Sequence, residues 1–277
     1  MANKNRNKGA MICPNCGKLI NANSEKCIHC GLKYPGKQNI SNQILALFKQ
    51  KLGFFETVMY FCSGLFIISI LIDPSALFNS RSMFSLFSPS MIALDKLGMT
   101  GTYAMANGRW WTLITAIYLH GGVLHILFNM LWIRQLAPTV EDLFGTSRLI
   151  IIFTLSGILG FILSNLFQIS FTIGASGSIF GLLGALIFYG KDRGGFFGEA
   201  LFKQLIGWAI ILFVFGFLFP GINNWAHAGG FAGGYLSARL LGYNEKKPET
   251  ITYKNLASMT IVITIICFVI AVWKGFF

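Results

Sequence analysis

Four short stretches of this 277-residue chain hold residues able to do chemistry. FTIGASGSIF, residues 171–180, sets Ser176 between Gly174 and Gly177 in a strongly apolar region. NNWAHAGGFAGGYLSA carries His227, with Gly230 and Gly234 three and seven residues later on the same helical face. A hydroxyl and a neutral imidazole able to take its proton are the parts needed for nucleophilic catalysis. YLHGGVLHILFNML puts His125 and Asn129 one turn apart, with His120 five residues before His125. Polar side chains of this kind inside an apolar span are costly and are functional candidates by default. CPNCGKLINANSEKCIHCG pairs Cys13 with Cys16 and Cys27 with Cys30, each pair followed by a glycine.

Each stretch also has a plainer reading. A lone serine among glycines packs helices together, and a histidine or asparagine in an apolar helix can simply bond its neighbour. The catalytic reading therefore needs Ser176 and His227 to meet. Gly177, Gly181 and Gly184 follow Ser176 at helical spacing, and Gly230 and Gly234 follow His227. Two glycine-faced helices can pack backbone to backbone and bring Ser176 and His227 within hydrogen-bond reach. The cysteines suit tetrahedral zinc, because four thiolates from two Cys-x-x-Cys-Gly turns complete its coordination; disulfides are the weaker reading in a reducing compartment. His29 reads as a bystander. A ribbon this small cannot bury a sufficient core, so the metal must supply much of its folding energy. Cys62 and Cys267 read as small apolar fillers.

The elements that must position these residues are membrane helices. The chain is 54% hydrophobic and only 12% charged, against about 25% charged in an ordinary soluble domain. The fold expected is an all-α polytopic membrane protein. Seven spans are predicted, at 54–72, 110–133, 149–168, 172–190, 204–219, 225–241 and 255–273. No cleaved signal peptide is read at the N-terminus. Nine Lys and Arg fall within 1–53, and nine more fall in 134–148, 191–203, 242–254 and at Arg239. The other side receives only Arg81, Lys96, Arg109 and Lys274. By the positive-inside rule the N-terminus is cytoplasmic and seven spans put the C-terminus outside. Ser176 and His227 then both lie in the outer half of the membrane, with His125 roughly midway along its span and Asn129 one turn deeper. The net charge of +12 points to anionic headgroups, and nucleic acid is not expected as a partner. The outer segment 73–109 is expected to lie on or in the membrane interface.

Taken together and in this order, GASG at 174–177, HILFN at 125–129 and AHAGGFAGG at 226–234 resemble the rhomboid intramembrane serine proteases. EDLFG at 141–145 is similar to that family's short inner-loop motif. The resemblance covers about 54–242 as a six-helix core. It implies a dyad with Ser176 as nucleophile and His227 as base, without a third acidic residue. Phe180 would stack on the imidazole. His125, Asn129 and the Ser176 N–H would hold the oxyanion, and Gly174 and Gly177 would leave room for substrate backbone. It implies no cofactor for catalysis and, as substrates, membrane proteins cut near the outer ends of helix-destabilised spans. Segment 73–109, running into NGRWW, would be the embedded first loop, and 204–224 a mobile fifth helix and cap that gate substrate entry. Two features are additions: a zinc ribbon at 1–35, joined by a linker at 36–53, and a loop and seventh helix at 243–277. The ribbon would carry one structural zinc ion and could meet a cytoplasmic partner. The expected site is a bacterial cell membrane. The alternative is a proteolytically silent rhomboid-fold binding protein or chaperone; silent relatives usually lose the serine or the histidine, and this chain keeps both, which favours the protease. A transporter would need a polar path through the inner halves of the spans, and none is seen. A soluble Gly-x-Ser-x-Gly hydrolase is excluded, since residue 178 is serine.

Overall fold

A computed structural model describes residues 10–13, 16–21, 24–33, 52–79, 87–219, 221–245 and 247–277. The chain divides into two compact units, Met1–Leu52 and Gly53–Phe277. In the first, strands β1 (Ala10–Ile12) and β2 (Leu19–Asn21) pair antiparallel with Met11 opposite Ile20. Its small core is Cys13, Ile20 and Cys27, with Cys16 and Leu32 packed against them. Most of the expected linker, 36–51, lies outside the described residues.

The second unit is helical, and the protein is a polytopic membrane protein. Helix α1 (Phe54–Ile72) is followed by the short α2 (Met91–Lys96), α3 (Thr102–Ala106) and α4 (Thr112–Thr115), then by long helices α5 (Val123–Phe144), α6 (Thr146–Leu166), α7 (Ser176–Arg193), α8 (Gly195–Leu218), α9 (Asn224–Leu241) and α10 (Ile251–Phe276). Each of the seven predicted spans overlaps one long helix. By length and composition, four of the described helices can cross a membrane, or five if one bent pair counts as a span. The helices that open at Ser176 and Asn224 fall outside that test. Glycines lower their hydropathy, and the helix from Ser176 is buried along most of its length, so it need not be strongly apolar.

The second span differs from expectation. Segment 110–133 is not one helix: Thr112–Tyr118 meets α5 at a bend of 91°. The break lies at Leu119–Gly122, where Leu119 is extended and two adjacent glycines end the helical register. His125 is therefore in the first turn of α5. The predicted inner loop at 134–148 is also helical up to Phe144, and Gly145 alone separates α5 from α6. Its φ of +88° needs glycine, and a Cβ there would strike the Glu249 carboxylate. The first loop packs a small core with its neighbours. Leu94, Leu97 and Met99 are buried with Leu65 and Leu119. Residues 80–86 of that loop lie outside the described residues.

Three helices meet with almost no side chain between them. A Cβ on Gly230 would overlap the Gly177 carbonyl, one on Gly234 the Gly181 carbonyl, and one on Gly184 the Phe231 carbonyl. Gly160 of α6 likewise abuts Ala226 and Gly230. Such close approach maximises van der Waals contact where lipid offers no hydrophobic driving force. At the opposite end of the bundle, Glu249 caps α6: its carboxylate accepts from Ser147 N (2.8 Å) and Ser147 Oγ (2.9 Å). Next to it the buried Arg148 donates to the Leu241 and Phe144 carbonyls and lies 3.7 Å over the Tyr253 ring. Those carbonyls end α9 and α5, where the helix dipole favours a cation.

Candidate active site

The residues singled out in the sequence sit at matching helix ends. Ser176 opens α7, His125 is the third residue of α5, and His227 is the fourth of α9. The first bond of α7 runs from Ile179 N to Ala175 O, so the N–H groups of Ser176 and the next two residues have no acceptor within the helix. A helix N-terminus with free N–H groups favours a developing negative charge.

The approach to Ser176 is extended. Thr172 pairs with Thr100 through two backbone hydrogen bonds of 2.8 and 3.3 Å, and Gly174 N donates to Ala116 O at 2.8 Å. Gly174 has φ of +114°, and a Cβ on it would lie 2.6 Å from His125 Nε2. Only glycine lets the chain pass that imidazole. On the other side of the ring, Gly121 N donates to His125 Nδ1 (3.3 Å). An Nδ1 that accepts leaves the proton of the neutral ring on Nε2, so the donor faces the serine loop. Asn129 is buried, and its Nδ2 donates back to the His125 carbonyl at 2.8 Å. That uses one of its two amide hydrogens and leaves the other.

His227 is buried, and its ring lies parallel to Phe180, with centroids 4.2 Å apart and planes 16° apart. Its Nδ1 has no hydrogen-bond partner among the described residues. The ring is therefore oriented by stacking and not by a carboxylate. Phe180 and Ser176 lie one turn apart on α7. No hydrogen bond joins Ser176 to His227 among the described residues, although the glycine contacts expected to bring their helices together are present. Bonds of this kind are often long without substrate. Asn223 caps α9 through Ala226 N and also donates to Ser164 Oγ (2.6 Å) and Thr172 Oγ1 (3.1 Å). It thus ties the His227 helix to the extended stretch before Ser176. His120 is buried and edge-on to His125, centroids 5.1 Å apart, with its Nδ1 3.2 Å from the Tyr118 carbonyl. Sequence reading missed the roles of Ala116, Gly121 and Asn223, which act through backbone or across the fold. The HGG at 120–122 was the one local signal for such a break.

In the N-terminal unit the sulfurs of Cys13, Cys16, Cys27 and Cys30 lie within 4.8 Å of one another. Cys13 Sγ is 3.7 Å from Cys30 Sγ, and Cys16 Sγ is 3.8 Å from Cys27 Sγ. A tetrahedron with metal–sulfur bonds of about 2.3 Å has edges of about 3.8 Å. Gly17 N and Gly31 N bond back to the Cys13 and Cys27 carbonyls, both at 2.9 Å, and His29 N points at Cys27 Sγ (3.4 Å). The donor set and its spacing fit zinc.

Residues 107–244 match the model of the Rhomboid domain family. The chain is 38% identical over 138 residues to rhomboid protease GluP of Bacillus subtilis, a match covering 50% of this chain and 27% of that protein. YdcA of the same organism, itself named after the rhomboid proteases, is 37% identical over 48% of this chain and 67% of its own length. RHOMBOID-like protein 1 of Arabidopsis thaliana is 36% identical, over 54% of this chain and 40% of that protein. The matched segment holds all three helix ends that carry Ser176, His227 and His125, together with the glycines that seat them; the chain belongs to the rhomboid family.

Proposed function

We propose that the chain is an intramembrane serine endopeptidase acting on spanning segments of other membrane proteins. The observation that carries this reading is the parallel stack of Phe180 on the buried His227, on the helix next to Ser176 and joined to it by glycine contacts. Ser176 Oγ attacks the scissile carbonyl carbon as His227 takes its proton. The oxyanion receives the Ser176 N–H, His125 Nε2–H and the second hydrogen of Asn129 Nδ2. His227 then protonates the leaving amine, and water cleaves the acyl-enzyme by the reverse sequence. While protonated, the imidazolium is stabilised by the Phe180 face, since a cation within about 6 Å of a ring centroid is attracted to it. Each oxyanion donor contributes on the order of 3 kcal/mol. The substrate must unwind locally, because a helix hides its carbonyls from attack.

Substrate enters past α8. Trp208 of α8 and Trp132 of α5 meet edge to face, centroids 5.6 Å apart, and close the seam between those helices. The N-terminus lies in the cytoplasm, the active site faces the outer half of a bacterial cell membrane, and the C-terminus is outside. The N-terminal unit is a ribbon holding one structural zinc on its four cysteines, available to a cytoplasmic partner.

The test is cleavage of a single-span substrate with helix-breaking residues, with protein and substrate in the same liposomes. Ser176→Ala and His227→Ala should each lose on the order of 10³-fold or more in kcat/KM while melting as wild type does. Cleavage by Ser176→Ala at the wild-type rate refutes the assignment. Wild-type protein that binds the span without cutting it favours the binding-protein reading.

A further inference from the structure

The last helix, α10, has no part in the reaction as described, yet it is packed tightly on the first loop. Gly275 lies so close to Lys96 that a Cβ on it would overlap the Lys96 carbonyl. The Lys96 ammonium sits 4.8 Å over the Phe276 ring. One turn back, Ala271 rests against Gly98, where a built Cβ would lie 3.1 Å from the Ala271 methyl. Ala271 and Cys267 are both buried with Trp111 and Ile114 of the bent segment. Lys96 is fixed from its other side too. Its neighbour Asp95 receives Arg109 through Nη1 on Oδ1 and Nη2 on the carbonyl, both at 2.7 Å.

A short covalent and hydrogen-bonded route leads from these contacts to the serine. The Gly98 carbonyl accepts from Thr115 Oγ1 at 2.7 Å. Thr115 is followed by Ala116, whose side chain is fully buried and whose carbonyl accepts from Gly174 N at 2.8 Å. Gly174 is two residues from Ser176 and lies against His125 Nε2. Close-packed interiors have little slack, so a shift of Gly98 is passed on to Ala116 and is not absorbed.

We infer that α10 is a positioning element for the nucleophile: Gly275 and Ala271 hold Lys96–Gly98, which through Thr115 and Ala116 sets the position of Gly174 and so of the serine loop. Its catalytic consequence rests on the protease reading above, but its structural content does not. Neither residue touches the reacting atoms; both are positioning residues.

The experiment combines two readouts on the full chain in nanodiscs. Hydrogen exchange of the peptide 171–177 reports the Gly174 amide directly, and steady-state cleavage separates kcat from KM. Gly275→Ala and the milder Ala271→Val should raise exchange in 171–177 by about tenfold with exchange in 181–190 unchanged. Both should lower kcat by about tenfold with KM within about twofold, since the substrate contacts are intact. Val269→Ala, on the exposed side of the same helix, should change neither. Faster exchange in variants of a protein that never cleaves would uphold the positioning role and sink the protease reading. Unchanged exchange in 171–177 in either folded variant would overturn the inference whatever the kinetics. If Gly275→Ala does not fold, Ala271→Val decides between these outcomes.

Discussion

The contact between Gly177 and Gly230 gives a sharp test, because two glycine-to-alanine substitutions, one at this contact and one away from it, should differ sharply in their effect on kcat. A Cβ on Gly230 would overlap the Gly177 carbonyl oxygen and lie 2.7 Å from its carbon and 2.9 Å from its Cα. Ordinary contacts begin near 3.4 Å, and every colliding atom is backbone, which cannot rotate away. To accept Gly230→Ala, α7 and α9 must separate by roughly an ångström. Alanine is the better helix former by about 1 kcal/mol, while overpacking costs about 1–3 kcal/mol, so the net effect on stability is modest. The effect on chemistry is large, because Ser176 and His227 ride on these two helices. A misplacement near 1 Å costs about 100-fold, some 2.7 kcal/mol in activation free energy. Gly207 of α8 is the matched control: nothing lies within 4 Å of a Cβ built there. Gly207→Ala should gain up to about 1 kcal/mol from helix propensity and leave kcat unchanged. The assay is liposome cleavage of a spanning substrate, with melting followed in parallel. Gly230→Ala with wild-type kcat, or Gly207→Ala with an equal loss, would refute the argument that glycine contact sets the Ser176–His227 geometry.

Three further outcomes are expected. Glu249→Gln should lower the melting temperature, since it weakens a charged cap on Ser147 N and Oγ by about 1 kcal/mol, with KM unmoved. Hydrogen bonds from Tyr189 Oη and Arg193 Nε hold the Glu245 carboxyl below the ordinary carboxylate range. Its stabilising contribution is therefore present above the unfolded-state pKa and lost as pH falls through the lower folded value. Glu245→Gln should flatten that acid limb of the melting curve, and an unchanged limb would assign it to other groups. Metal analysis of purified protein should find about one zinc per chain; Cys13→Ser or a strong chelator should unfold the ribbon, read from amide exchange in 10–33, while cleavage of a spanning substrate persists.

What the sequence made legible was what repeats locally. The spacing of Gly177, Gly181 and Gly184, and of Gly230 and Gly234, announced two smooth helix faces, and those faces do pack on each other. The cysteine pairs announced a four-sulfur cluster for the same reason. The break before α5 was harder to see, because apolar residues dominate on both sides of it and only the short stretch His120–Gly122 marks where the register ends. That break puts His125 in the first turn of its helix. Long-range partners left no trace at all. The Thr172–Thr100 pairing, the Ala116 carbonyl under Gly174 and the Glu249 cap on α6 join residues far apart in the chain through groups every residue has, or through side chains with no periodic signature.

The packing of α10 on the first loop also has a meaning in time. A ribosome delivers Lys96 and Gly98 well before Ala271 and Gly275. Until α10 is inserted, Lys96–Gly98 and Trp111 lack the surface they rest on in the finished protein. A nascent chain that already carries Ser176 and His227 but not yet α10 is thus still an incomplete bundle.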